Sequence, residues 1–342
     1  MSHPGAGEAL TGREIVVAIP TLDEAAHIEP CIRSLMQGDT RLGRVRFVVA
    51  DGGSADGTRD VVRRLCREFP NLALIDNPAR VQAAAVNAVA RRAAGQGARY
   101  LVRCDAHAQY PAGFVLRVVE RLVLHGVQSL VVPMDAVGRG CFQRANAWVV
   151  DTALGSGGAA HRGGRRSGFV EHGHHAAFDL GTFLSLGGYD ERFAVNEDAE
   201  YDRRLTAAGG RIYLDASIRV RYHPRRGASS LARQYFRYGA GRSQTLRKHG
   251  GPWRARQILP LFHFGALAVT AVGGMWIPGL WVYPAAYAGT LGLTSVMLAL
   301  RHRSVCGLWA GVAAGVMHTA WACGFLYERL FTRRLGSGPC QG

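Results

Sequence analysis

The sequence predicts an α/β fold with a sheet built of parallel strands, followed by a C-terminal set of apolar helices. Three observations carry that prediction. Short apolar runs alternate with stretches of 3.6-residue periodicity from Ile15 to Val132, the pattern of strand and amphipathic helix in turn. Acidic residues punctuate the ends of the apolar runs, where open α/β sheets bind ligands. After Gln257 the chain carries long uncharged stretches, near the length of about 20 residues that a membrane span needs.

In order, Ile15 to Ile19 reads as a buried strand ending at Pro20. Ile28, Cys31, Ile32, Leu35 and Met36 then share one face of a helix. Arg46 to Ala50 is a second strand, closed by Asp51, Gly52 and Gly53, and the next helix turns Val61, Val62, Leu65, Cys66 and Phe69 to one side. Leu72 to Ile75, a helix from Val81 to Ala94, Tyr100 to Arg103 and Leu130 to Val132 continue the alternation, which implies right-handed crossovers between parallel strands. Gly155 to Arg166 reads as a mobile loop. Helices are predicted from Ala199 to Ala208 and from Ser229 to Arg242. Ile258 to Ile277, the run resuming after Pro278 and Gly279 through Leu300, and Val305 to Leu326 predict three membrane helices. The division expected is a flexible N-terminus over 1–13, a cytosolic domain over 14–250 and a membrane region over 251–335. Arg301 and Arg303 then face the cytosol as the positive-inside rule prefers, whereas Arg329, Arg333 and Arg334 do not.

The formal charge is +16, and Lys248 is the sole lysine. Arginine forks suit phosphate, so anionic lipid and diphosphate substrates fit this charge as well as nucleic acid does. Seven scattered cysteines without a C-x-x-C pair argue for a reduced compartment and against a disulfide framework. Met1 to Thr11 lacks the apolar core of a signal peptide.

Four groups of residues bear chemistry. Asp51 to Thr58 joins a strand to a helix, with glycines that let a ligand approach the backbone and a helix start that offers N–H groups to an anion. It is also an ordinary turn with Asp56 as a cap. Asp105 and His107, alternate residues past a strand end, can share one Mg2+ or Mn2+ with two phosphate oxygens. His223, before Pro224, is a further candidate ligand. Glu197 and Asp198 open a helix, where they complement its dipole or supply a general base. Gln234 and Arg237 lie three apart on one helix face, and Arg237 suits a diphosphate. His172, Gly173, His174 and His175 resemble a zinc run but lack a cysteine or carboxylate to complete it; acceptor contact and structural hydrogen bonding are the other readings. The arginines from Arg219 to Arg256 stand ahead of the first apolar segment and suit lipid headgroups.

In this order the segments resemble the inverting GT-A glycosyltransferases of family 2. Val17 to Glu24 is similar to that family's opening strand, Asp51 to Thr58 to its nucleotide-binding turn, and Asp105-Ala106-His107 takes the place of D-x-D, with His107 for a carboxylate. Gly187 to Phe193 with Glu197-Asp198 resembles the acceptor loop and catalytic E-D. Gln234 to Tyr238 resembles Q-x-x-R-W, with Tyr238 for tryptophan. Arg103 to His107, Gly173 to His175 and Asn196 to Glu200 further resemble the succinoglycan-type exopolysaccharide glucosyltransferases. The resemblance implies a GT-A fold, a Rossmann-like mixed sheet with flanking helices, ahead of the transmembrane helices. It implies nucleotide-sugar binding by Pro20, Thr21, Asp23, Glu24, Asp51, Asp105, Gln234, Arg237 and Tyr238, and acceptor binding by His174, His175, Gly188 and Tyr189. Asp198 is the implied base and Glu197 its support. The implied donor is UDP-glucose, the acceptor a polyprenyl diphosphate-linked sugar, and the location the inner membrane, with no nucleic-acid partner. Two other classes stay open at this stage: a nucleotidyltransferase, which would want a basic Gly-rich loop where Pro20 to Glu24 stands, and a non-catalytic basic membrane subunit.

Overall fold

A computed structural model of the chain describes residues 10–157, 166–250, 253 and 255–332. The expected flexible residues 1–9, the core of the expected loop over 158–165, and Arg333 and Arg334 lie outside the described residues. The chain folds as two compact units, one of residues 1–137 and 158–223, the other of 138–157 and 224–342.

The first unit starts with β1 (Ile15–Thr21), α1 (Ile28–Leu35), β2 (Arg46–Asp51), α2 (Thr58–Glu68), β3 (Leu72–Asp76), α3 (Gln82–Ala94) and β4 (Tyr100–Arg103). It continues through β5 (Ala108–Gln109), α4 (Phe114–His125), β6 (Ser129–Val132) and β7 (Met134–Ala136). Two helices of the second unit follow, α5 (Cys141–Val150) and α6 (Ala153–Ser156). The first unit then resumes with β8 (Gly168–Val170), β9 (His174–Asp179), α7 (Leu180–Ser185), α8 (Glu197–Ala207), β10 (Ile212–Leu214) and β11 (Val220–Tyr222).

Eight strands form one sheet in the order β3-β2-β1-β4-β9-β6-β10-β8, and β5-β11-β7 form a second. The predicted alternation appears as the parallel ladders β1–β2, β2–β3 and β1–β4, with Thr21 opposite Asp51 and Asp51 opposite Asp76. The sheet is mixed rather than parallel throughout. β9 runs antiparallel between β4 and β6, so its first residues, His174 and His175, arrive at the edge where β4 ends. Alternation along β1 sorts the core: Ile15, Val17 and Ile19 pack with α1, α2 and α4, while Val16 and Ala18 pack with α3, α7 and α8.

The second unit adds α9 (Ala228–His249), α10 (Ala255–Gly273), α11 (Val282–Arg301) and α12 (Ala310–Phe331). The helix predicted to end at Arg242 runs on to His249. Among the described residues two helical stretches are long and apolar enough to cross a membrane, 278–301 and 305–331. The expected first span corresponds to α10, which ends at Gly273 ahead of Gly274 and Pro278 and carries an apolar stretch over 257–273. α9 and α12 cross at glycines. A Cβ at Gly239 would fall 2.0 Å from the Trp321 carbonyl oxygen, and one at Gly324 would fall 1.9 Å from that of Phe236, so only bare backbone allows this approach.

α5, unforeseen from the sequence, is fastened inside this unit. Trp148 stacks flat on His302 with ring centres 4.2 Å apart, and Phe142 meets the edge of Trp309. Cys141 and Cys306 form a disulfide, correcting the expectation that the cysteines stay reduced. Their separation of 165 residues hid a pair that folding brings to a Cα–Cα distance of 4.8 Å. Cys31, Cys66, Cys104 and Cys323 remain free thiols.

Candidate active site

The site is built at the carboxyl edge of β1, β2 and β4. Asp51 ends β2 and is buried, and its carboxylate is already engaged: Gly53 N and Ser54 N donate to Oδ2 at 2.9 and 3.0 Å, Ser54 Oγ donates to Oδ1, and Arg59 donates at 2.9 Å while bridging to Asp76. Burial works against its charge, but these donors outweigh it and hold the carboxyl below its ordinary range. The turn after β1 is clipped onto the same loop. Asp23 N donates to Ser54 Oγ, Asp23 Oδ1 accepts from Ala55 N, and Glu24 N donates to Thr58 Oγ1. Pro20 lies inside β1, and the buried Thr21 that ends the strand turns its hydroxyl back to the Ile19 carbonyl. The N-cap of α2 is Gly57, at φ 92°, rather than the expected Asp56, which stands one residue ahead and accepts from Thr58 N at 3.0 Å.

Left-handed backbone gathers here. Of the four non-glycine residues with positive φ among the described residues, Asp23, Arg80 and Asn196 flank this edge, at φ 54°, 57° and 61°. Such strain concentrates at functional sites. Arg80 lies over Gly52 and Gly53 and makes no ion pair among the described residues, a feature the sequence reading missed.

The centre of the site is Arg103, also missed as a site residue, whose guanidinium is 6% exposed. It reaches Asp105 Oδ1, Glu197 Oε1 and the Tyr189 hydroxyl, each at 3.4 Å. The Gln82 amide oxygen, turned toward it, accepts from Nε at 2.9 Å. Burial opposes the Arg103 charge, yet Tyr189, Asp105, Glu197 and Asp198 around it push its pKa further up. For Asp105, burial again opposes the charge, and Arg103, His174 and His107 bring the carboxyl down to about 2.

α8 carries the carboxylate pair. Glu197 is buried, and desolvation with the neighbouring Asp198 charge raises its pKa despite Arg103. Asp198 is half-buried and accepts from Ala199 N at 2.7 Å. Burial would raise it, but His172, His175 and Arg103 more than offset that and leave it well below the carboxylate range. Two adjacent carboxyls thus move in opposite directions, as paired acid–base groups do.

Behind the pair runs a closed polar chain. His175 meets the Tyr189 hydroxyl through Nδ1 at 2.6 Å and Asp202 through Nε2 at 2.7 Å, and His172 Nδ1 holds the other oxygen of Asp202 at 2.7 Å. The histidine run is therefore a hydrogen-bonding device rather than a zinc site. His174 alone of the three turns toward Asp105, with Nε2 3.7 Å from Oδ2. His175 and Tyr189 are fully enclosed. Gly188, at φ +68°, touches Asn87, and a Cβ there would stand 2.4 Å from Asn87 Oδ1. Asn87 also bonds Tyr189 N and O, and Arg204 ties the Gly188 carbonyl to Glu200. Asn87, Asp202 and Arg204 went unread in the sequence, although Asp202 is four residues beyond Asp198 and so shares its helix face.

His107 Nδ1 pairs with Glu24 Oε1 at 2.9 Å, and its ring is among the groups that lower the Asp105 carboxyl. His223 Nδ1 is held by the Val137 carbonyl at 2.7 Å, in the three-stranded sheet. Among the described residues no three His, Cys, Asp or Glu side chains are grouped to hold a metal. A divalent ion bound mainly through substrate phosphates needs only one or two protein carboxylates, and Asp105, ionised and at the edge, meets that lesser requirement. Gln234, Arg237 and Tyr238 belong to α9 in the second unit, where Gln234 Nε2 donates to the Tyr238 hydroxyl at 3.0 Å and Arg237 is exposed.

Known proteins place this geometry. Residues 16–183 match the profile described as glycosyl transferase family 2. The chain is 44% identical to the succinoglycan biosynthesis protein ExoA of Rhizobium meliloti (strain 1021), over 96% of this chain and 98% of that one. It is 25% identical, over 74% and 78%, to a dolichyl N-acetyl-alpha-D-glucosaminyl phosphate 3-beta-D-2,3-diacetamido-2,3-dideoxy-beta-D-glucuronosyltransferase of Methanococcus voltae. Its fold is similar to that of a mannosyltransferase of Pyrobaculum calidifontis solved with GDP-Man and Mn2+, with a TM-score of 0.57 at 21% identity over 94% and 88%. The fold is GT-A, and the chain is a glycosyltransferase that belongs to family 2.

Proposed function

We propose that this enzyme is membrane-attached and inverting, and that it moves glucose from UDP-glucose to a polyprenyl diphosphate-linked sugar in exopolysaccharide biosynthesis. The observation that carries the reading is the gathering of Asp105, Glu197 and Asp198 around the buried guanidinium of Arg103. The similarity to ExoA over nearly the whole chain supports the pathway class, and the relative solved with GDP-Man and Mn2+ supports a nucleotide-sugar donor.

In this reading Asp198 is the base. It is ionised before the acceptor arrives and takes the proton of the acceptor hydroxyl. That oxygen bonds to the anomeric carbon as the bond from this carbon to the donor diphosphate breaks, and the diphosphate departs with the electron pair. Glu197, locked to Arg103, fixes the start of α8 and so the aim of Asp198. The Asp51 loop and the Pro20–Glu24 turn form a rigid bed for the nucleoside, and Arg80 is placed to meet an anion above Gly53. A Mg2+ or Mn2+ ion held by Asp105 and the donor phosphates would neutralise leaving-group charge. Sequence resemblance alone extends the donor site to Gln234, Arg237 and Tyr238. Two apolar helices support attachment to the inner membrane, with the catalytic unit in the cytosol.

Incubating membranes containing the enzyme with a panel of labelled nucleotide sugars and a lipid extract tests this directly. Label from UDP-glucose should enter the lipid fraction. Transfer only to water, or only from another donor, would overturn the assignment.

A further inference from the structure

The charge of the chain is distributed unevenly. The second unit holds sixteen basic and only two acidic side chains, Asp151 and Glu328, and so carries +14 of the chain's +16. Within it lies a cavity of about 300 Å3 lined by Arg139, Gly140, Gln143 and Arg226. Neither arginine has an acidic partner among the described residues.

The cavity is organised by buried amides. Gln143, 3% exposed, accepts from Arg139 N at 2.9 Å and donates to the Pro224 carbonyl at 2.6 Å. Asn146, 1% exposed, donates to the Arg225 carbonyl at 3.2 Å. Two segments far apart in sequence, each bearing one of the cavity arginines, are thereby fixed side by side. Gly140, which lines the cavity, is also the N-cap of α5 and makes no side-chain hydrogen bond there, which brings the start of that helix to the cavity. Two unpaired guanidinium forks and a helix start around one cavity make a receptor for a compact multivalent oxyanion. The same unit presents Phe262, Trp276, Leu300 and other large apolar side chains on its surface, which suits a ligand that joins a phosphate to a hydrocarbon chain.

We propose that the cavity between Arg139 and Arg226 binds the phosphate group of an anionic lipid. The inference does not depend on the reading of the catalytic unit. Phosphate is the chemistry recognised, and the test separates a lipid source from a free one. The full chain in neutral detergent is titrated with dihexanoyl phosphatidylglycerol, with dihexanoyl phosphatidylcholine, whose phosphate is neutralised by choline, and with inorganic phosphate. Phosphatidylglycerol should bind more tightly than the other two. Arg139→Ala and Arg226→Ala should each weaken it about tenfold or more, as expected for lost charge-assisted hydrogen bonds. Arg233→Ala, an exposed arginine on α9 outside the cavity, should change it less than twofold. Both cavity arginines are exposed, so melting temperatures should stay near wild type, and Arg139→Lys with Arg226→Lys should recover part of the affinity. Equal weakening by Arg233→Ala would show diffuse attraction and overturn the site. Unchanged binding in both cavity variants would do the same. Tight binding of inorganic phosphate without phosphatidylglycerol binding would overturn the lipid source.

Discussion

The two units of this enzyme handle charge in opposite ways. The catalytic unit holds 25 basic and 23 acidic side chains, nearly balanced, and it pairs its most buried charges with one another: Arg103 with Asp105 and Glu197, Asp202 with two histidines, Glu200 with Arg204. The helical unit has sixteen basic side chains to two acidic ones and exposes large apolar side chains. A balanced, internally satisfied set of charges is a tool for aiming reactive groups. An unbalanced cationic, apolar surface needs an external partner, and a membrane with anionic headgroups supplies both kinds of contact. Substitutions that affect chemistry in one unit and only packing in the other would sharpen this contrast.

The largest effect is expected at the base. Asp198→Asn keeps the shape and removes the proton acceptor, so transfer should fall by about 10²–10⁴-fold with donor binding retained. Turnover assays beside a donor-binding titration check this, and near-normal turnover would break the assignment.

Next is the buried cation. Arg103→Ala leaves Asp105 and Glu197 uncompensated, which should cost about 3–5 kcal/mol of stability. Denaturant unfolding of the detergent-solubilised enzyme measures it. A cost below about 1 kcal/mol would mean that these carboxylates do not depend on Arg103, contrary to the paired-charge account.

The helical unit should respond to volume instead. Gly324→Leu forces apart the crossing of α9 and α12, where no Cβ fits; overpacking of this kind costs about 1–3 kcal/mol. Thermal unfolding in detergent would show it, and an unchanged midpoint would contradict the close crossing.

The smallest effect is a response to acid. Asp215 is fully buried and accepts from Ser217 N and Oγ and from Arg121 Nε. Burial raises its pKa, but those donors prevail and hold it below the ordinary 3.8. The unfolded chain therefore binds the proton first as pH falls. The stability Asp215 adds is complete above its unfolded value and is lost as pH falls through the lower folded value. Acid should weaken the catalytic unit, while the helical unit has only Asp151 and Glu328 to protonate. Comparing wild type with Asp215→Asn by thermal unfolding across this range should show a smaller acid response in the variant.

What the sequence disclosed follows the range of the interaction involved. Period and punctuation located β1 through β4 to within two residues, α3 to within one, and the buried faces of α1 and α2, because each is local. The pair Glu197-Asp198 and the turn at Asp51 were visible for the same reason. β9 was not, since His174 to Asp179 acquires its meaning only when inserted antiparallel between β4 and β6. Arg103 looked like the last residue of a strand; its role needs Asp105 nearby and Glu197 from another element. Cys141 and Cys306 looked scattered because their partnership spans 165 residues.

The central claim is that one displacement, driven by Asp198, forms the product. The anomeric configuration tests it most directly, read from the anomeric proton coupling of the disaccharide released from the lipid after transfer from α-linked UDP-glucose. One in-line displacement inverts the centre, so a large coupling and a β-linked glucose are predicted. A small coupling, showing an α-linked product, would contradict the single-displacement mechanism and the role given to Asp198.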